Sequence, residues 1–154
     1  MLRLAFALVA ASATCAESPV MPFTVCEILR DKAMYEGKPV AALGRYSFRQ
    51  DGRWLGEQGC QDNSTVPPAI WLTEDGNEGP RPPENFELDG IALSHKLADV
   101  RKRTSLAKFR FGSPDYDRWA VVYGRVVSRQ GEGAKRAALD LVFRGDGVII
   151  FLNQ

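Results

Sequence analysis

Three cysteines and one histidine are the residues best suited to chemistry in this chain, and their spacing limits what that chemistry is. Cys26 and Cys60 have no second cysteine and no histidine nearby in sequence, so neither reads as half of a spaced zinc-ligand pair. A catalytic thiolate needs a base to activate it. The only histidine, His95, sits between Ser94 and Lys96 with no partner motif around it. Two thiols that lack both a metal set and a base are most simply read as one disulfide, provided the chain reaches an oxidising compartment. The expectation is therefore a Cys26–Cys60 bridge, no metal and no cofactor.

The N-terminus points to such a compartment. Met1-Leu2-Arg3 is a short positive start, residues 4–11 form a brief apolar run, and the small residues Ser12-Ala13-Thr14-Cys15-Ala16 follow. That is the layout of a signal peptide, read here as residues 1–16, with cleavage after Ala16 favoured over cleavage after Ala13. The competing reading is a buried N-terminal helix, but Glu17-Ser18-Pro19 ends the apolar run and Pro19 and Pro22 break any continuation. Lipoprotein anchoring through Cys15 is disfavoured. Its approach, Ser12-Ala13-Thr14, has no leucine at the first place and a threonine at the last. Residues 17–154 are read as a single domain, exported to the periplasm or beyond the cell, with no segment apolar enough to span a membrane. Loss of residues 1–16 removes Arg3 and leaves nineteen basic against nineteen acidic side chains, so no overall field draws the domain toward polyanions.

Catalytic motifs are missing. The sequence holds no G-x-S-x-G elbow, no H-E-x-x-H pair and no phosphate loop. The carboxylate pairs Glu74/Asp75 and Asp115/Asp117 are too ordinary in loops to signal a hydrolase. Asp75-Gly76-Asn77-Glu78 resembles the start of a calcium loop, but Pro80 and Phe86 stand where an EF-hand needs Gly and Glu. Asn63-Ser64-Thr65 matches a glycosylation acceptor, relevant only in a eukaryotic source.

What remains is recognition. Tyr46, Phe48, Trp54 and Trp71 lie close to Arg45, Arg49 and Arg53, and exposed rings beside guanidinium groups stack on sugars or bases. The bland reading is that these rings fill the core. Tyr46, Phe48, Trp54, Trp71 and Arg45 are the candidate binding residues. A second cluster, Lys96, Arg101, Lys102, Arg103, Lys108 and Arg110, suits phosphate neutralisation, though a charge run is usually a solvated helix face.

These residues need elements to position them. Thr24-Val25-Cys26-Glu27 has the form of a capping box, and Val25, Ile28 and Leu29 share the face of the helix that it would start. Gly37 stops that helix. Val40, Ala42, Gly44, Tyr46 and Phe48 then alternate with Ala41, Leu43, Arg45, Ser47 and Arg49 along a strand, and Asp51-Gly52 marks a hairpin that returns through Trp54. A third strand covers residues 70–73, and an acidic loop covers 74–89. A helix carries Leu93, Leu97, Val100, Thr104 and Ala107 at helical spacing, until Gly112-Ser113-Pro114 stops it. Strands follow at 119–129, 137–143 and 148–152. A helix between the third and fourth strands of a small β-protein suggests an α+β chain built on an OB-fold-like barrel with an added N-terminal helix. Gly44 and Gly124 would permit the bends that closure needs. The alternative is an open α+β sheet.

The leader, the stretches Val25-Cys26-Glu27-Ile28-Leu29 and Tyr35-Glu36-Gly37-Lys38-Pro39-Val40, the Gly44-Arg45 strand and Cys60 together resemble small exported bacterial proteins of OB-fold-like architecture. No activity is established for that group, and the likeness carries over no catalytic residue. The functional expectation is an exported, non-enzymatic binding or interaction module for a protein or small-molecule ligand. Its alternatives are a nucleic-acid-binding OB module, which the charge balance disfavours, an envelope hydrolase of unrecognised type, and an envelope protein acting through its sheet edges.

Overall fold

The computed structural model describes residues 18–61, 66–106, 116–145 and 149–152. The leader residues 1–16, the Asn63 acceptor, Ala107, Lys108, Arg110, the stop at Gly112-Ser113-Pro114 and Asp115 lie outside them. Seven strands are described: β1 (Pro22–Thr24), β2 (Pro39–Arg49), β3 (Gly52–Gly56), β4 (Ala69–Glu74), β5 (Tyr116–Ser128), β6 (Leu139–Phe143) and β7 (Ile149–Phe151). The helices are α1 (Val25–Arg30), α2 (Lys32–Tyr35), α3 (Gly90–Arg103) and a short 3₁₀ turn at Gly131–Lys135.

Five strands close on themselves in the order β2-β3-β4-β6-β5, with β5 returning to pair with β2. The β4–β6 pair is parallel and the other pairs of the ring are antiparallel. Closure depends on two long strands that change partners part-way. One edge of β2 meets β1 at residues 41–43 and β3 at 45–49, and one edge of β5 meets β7 at 120–122 and β6 at 125–128. Gly44 and Gly124 sit at those two changeovers. A Cβ on Gly44 would lie 2.9 Å from Val25 Cγ2 and 3.1 Å from the Gly56 carbonyl; one on Gly124 would lie 2.8 Å from both Leu141 Cγ and the Val142 carbonyl. At both places the neighbouring wall lies too close for a side chain.

Alternation along the strands divides the apolar residues into two layers. Val40, Ala42, Tyr46, Leu55, Ile70, Leu72, Ala120, Val122, Val126, Leu139, Leu141 and Phe143 pack as the barrel interior with Val25 and Ile28 of α1. The opposite side of β2 and β5 presents Ala41, Leu43, Val121 and Tyr123, which Phe86, Leu93, Leu97 and the chain at Val20 and Leu88 cover. The acidic loop is thus anchored through Phe86 and Leu88.

Thr24 Oγ1 accepts the Glu27 N–H at 3.2 Å and a Glu27 carboxylate oxygen accepts the Thr24 N–H at 2.8 Å, so the expected capping box is formed. Two expectations shift. The two-residue turn is Gln50-Asp51, because Arg49 pairs with Gly52, and the glycine opens β3 at φ +142°. The α3 stripe stops at Val100, because Thr104 leaves the helix to accept the Gln58 N–H at 2.8 Å on its buried hydroxyl. β1, of three residues, was not anticipated, and the helix expected to run from the Thr24 cap to Gly37 is broken at Asp31 into α1 and α2.

Candidate ligand-binding face

β3 and β4 each turn apolar residues inward and one tryptophan outward. Leu55, Ile70 and Leu72 are buried, while Trp54 and Trp71 point to the outer surface, and the antiparallel register sets them directly opposite each other. Their rings stack with centroids 5.4 Å apart and planes 16° from parallel, an arrangement favourable for aromatic pairs. Trp71 also lies across the Gly52 backbone, where any Cβ would overlap its ring. That close approach, at positive φ, requires the glycine.

The next position across the sheet from Trp71 is Asp140 of β6. Its carboxylate accepts the Thr73 hydroxyl at 3.1 Å and Arg129 Nη1 at 3.1 Å, and the Arg129 guanidinium sits 4.9 Å from the Trp71 ring centre. Trp54 thus approaches Trp71 from β3 and Arg129 from the β6 side, making a three-member ladder over β3, β4 and β6. Two loops meet at its rim. Arg136, in the segment joining β5 to β6, bonds Asp51 of the β2–β3 turn at 3.1 Å.

Most charges around the ladder are matched, while Arg125, exposed on the outer side of β5 opposite Val142, has no ion pair among the described residues. Arg49 pairs with Asp117 at 2.8 Å, Arg53 with Glu74 at 2.6 Å, Arg129 with Asp140 and Arg136 with Asp51. The described part of the basic helix is similarly met: Lys96 pairs with Glu27, Lys102 with Asp99 and Arg103 with the buried Glu57.

The five candidate residues separate. Trp54 and Trp71 come together on the outer face. Tyr46 lies inside the barrel, 3 % exposed, against Tyr116 and Phe151. Phe48 is exposed at the end of the barrel opposite α1, stacked on Tyr116 at 5.5 Å. Arg45 reaches away from both groups to donate to the Ser105 carbonyl at 2.8 Å. Sequence reasoning passed over Arg129, Asp140 and Thr73. The outward alternation of Thr73 and Asp140 was readable, but their convergence with Arg129 depends on the β4–β6 pairing. His95 is exposed on α3 and makes no hydrogen bond or ion pair among the described residues. The Asp75 carboxylate accepts the Asn77 and Glu78 backbone N–H groups, which also hold it below the usual carboxylate range.

Burial raises the phenol of Tyr116, with the neighbouring Tyr46 adding to the effect, and burial alone raises that of Tyr123. A phenol whose pKa is higher folded than unfolded contributes stability that is complete below the unfolded value near 10 and is lost as pH rises through the folded value. The expected result is that phenolate absorbance of the folded protein lags that of the urea-unfolded chain, with stability falling above about pH 10. Burial raises the phenol of Tyr35 as well, so a Tyr35→Phe, Tyr116→Phe, Tyr123→Phe triple variant should lose most of that lag, and an unchanged lag would contradict the assignment.

The described cysteines form the expected bridge: Cys26 and Cys60 are joined across a sequence separation of 34. No helix among the described residues is long and apolar enough to cross a membrane. Comparison of the chain with protein-family models, with curated proteins and with solved structures returns no match in any of the three.

Proposed function

We propose that this protein is an exported, non-catalytic binding module of the OB type, and that its ligand stacks on the tryptophan ladder of β3 and β4. The OB reading is supported by the ring order β2-β3-β4-β6-β5, the parallel closure of β4 with β6, and the position of α3 between the third and fourth strands of the ring. Such barrels bind oligonucleotides and oligosaccharides on the face of their second and third strands, between the loop joining the first two strands and that joining the last two. Here those elements are β3, β4, the Gln50-Asp51 turn and residues 129–138. The observation that carries the proposal is that the stacked Trp54 and Trp71 occupy that face. Export is supported by the disulfide, since such bridges persist in oxidising compartments.

Charge matching selects the ligand class. Cationic side chains bind a polyanion by neutralising its phosphates and releasing the counterions condensed on it, whereas Arg49, Arg129 and Arg136 beside this face are each already held by a carboxylate. An uncharged saccharide suits the surface better: its flat C–H face stacks on indole, and its hydroxyls meet the donors and acceptors of Thr73, Arg129 and Asp140.

The experiment is a titration of the protein with a neutral β-1,4-linked glucose hexasaccharide, followed by tryptophan fluorescence and by calorimetry. Binding that Trp54→Ala weakens by about tenfold or more is expected, since a stacked ring is worth roughly 1–3 kcal/mol. Trp54→Phe should recover part of it. Saccharide binding indifferent to Trp54 would remove the ladder from the function.

A further inference from the structure

The fold places a buried carboxylate against its disulfide. β3 ends at Gly56, and the next side chain, Glu57, is fully buried. One of its oxygens accepts the Cys26 N–H at 2.8 Å, and the other accepts Arg103 of α3. The ligand atoms of Cys26, Cys60 and Glu57 all lie within 4.8 Å of one another. A cleft of about 410 Å³ opens beside them, bordered by Cys26, Cys60, Lys96 and Arg103. A buried ion pair is weak evidence for stability, because apolar residues of similar volume often serve as well. Its placement against two sulfur atoms therefore calls for an explanation other than packing.

We propose that reduction of the Cys26–Cys60 disulfide creates a zinc-class metal site whose protein ligands are the two sulfur atoms and one Glu57 carboxylate oxygen. Zinc takes thiolates and carboxylates in tetrahedral geometry, with Zn–S near 2.3 Å, which sets two sulfurs on one ion ~3.8 Å apart. The Cα atoms, 5.2 Å apart, already permit that spacing. Rotation of the Cys60 side chain, flanked by Gly59 and Gln61, separates the sulfurs without moving α1. Two thiolates and one carboxylate carry three negative charges, balanced by the divalent ion and the Arg103 guanidinium. The fourth coordination position faces the cleft, where water or an exogenous ligand completes the tetrahedron. Thiolate ligands favour this ion over magnesium or calcium.

The chemistry balances. A dithiol or phosphine reductant supplies two electrons, the S–S bond breaks, and each sulfur takes one proton. The dithiol becomes its own disulfide, or the phosphine its oxide with oxygen from water. Metal binding then forms two metal–sulfur bonds and releases the two thiol protons to solvent, so affinity rises with pH. In the oxidised chain no thiolate exists and Glu57 is committed to Arg103 and the Cys26 N–H. Metal occupancy therefore reports the redox state of the bridge, a property independent of the tryptophan face.

The test is an anaerobic titration of the phosphine-reduced full chain with Co²⁺, which has a sulfur-to-cobalt charge-transfer band in the near ultraviolet, followed by back-titration with Zn²⁺. The expected result is saturation at one ion per chain, bleaching by one equivalent of Zn²⁺, and no band in the oxidised protein. Near-ultraviolet circular dichroism should show native tryptophan packing in the metal-bound form. Glu57→Gln, which keeps the shape of the side chain, should weaken binding by about tenfold or more. Absence of the band after reduction, one ion shared by two chains, equal affinity in Glu57→Gln, or a metal-loaded chain without native packing would each overturn the proposal.

Discussion

Reducing the Cys26–Cys60 bridge in the absence of metal should lower the unfolding free energy by about 4 kcal/mol, the chain-entropy value for a loop of this length. The position of the bridge explains why the loss should approach that value. α1 has six residues, too few to persist as an isolated helix, yet its Val25 and Ile28 close one end of the barrel. The bridge ties the first turn of α1 to the segment following β3, and without it that end depends on the capping box and on Glu57 holding the Cys26 N–H. Urea unfolding of the oxidised and reduced protein, with chelator present, measures the difference. A difference below about 1 kcal/mol would mean that α1 is held by packing alone.

The second large effect is expected at Gly124. Replacing it with valine would drive a branched side chain into Leu141 Cγ and the Val142 carbonyl, each already 2.8 Å from the position of a Cβ. The carbonyl belongs to the β5–β6 ladder and cannot withdraw without breaking the closure of the barrel. Overpacking costs about 1–3 kcal/mol and occasionally more, and Gly124→Val, which meets a backbone carbonyl, should fall at the upper end of that range. Gly90→Ala is the matching control. Gly90 opens α3 with nothing within 4 Å of its Cβ position, so the change should be neutral or should stabilise by a few tenths of a kcal/mol. If Gly124→Val and Gly90→Ala unfolded at the same urea concentration, β5 would not need a glycine at its partner change.

Much of this architecture was legible in the chain because its signals are local. The capping box at Thr24 and Glu27 spans four positions, the alternation from Val40 to Arg49 spans ten, and both formed as read. Gly44 and Gly124 were readable as glycines that closure of the barrel would need, but their position at the partner changes of β2 and β5 appears only in the register. β1 escaped because three residues show too little alternation to identify a strand, and the break between α1 and α2 at Asp31 has no glycine or proline to mark it.

The candidate face was half legible. Trp54 and Trp71 could be named from composition, but so could Tyr46, and only the side of the strand separates an outward ring from an inward one. Arg129 and Asp140 join the site through a parallel pairing between β4 and β6, whose residues Trp71 and Asp140 are far apart in sequence. Glu57 escaped for the same reason. Its partners Cys26 and Arg103 come from two helices on either side of it in the chain.

Selection of an uncharged saccharide over a polyanion by the Trp54–Trp71 face is the property most open to direct test. The direct measurement is wild-type affinity for the neutral glucose hexasaccharide and for a six-residue oligothymidylate, each at low and high salt. Saccharide binding should be insensitive to salt, and oligothymidylate binding should be weaker at both salt concentrations. Tighter oligothymidylate binding that falls steeply with salt would contradict it and establish a nucleic-acid face instead.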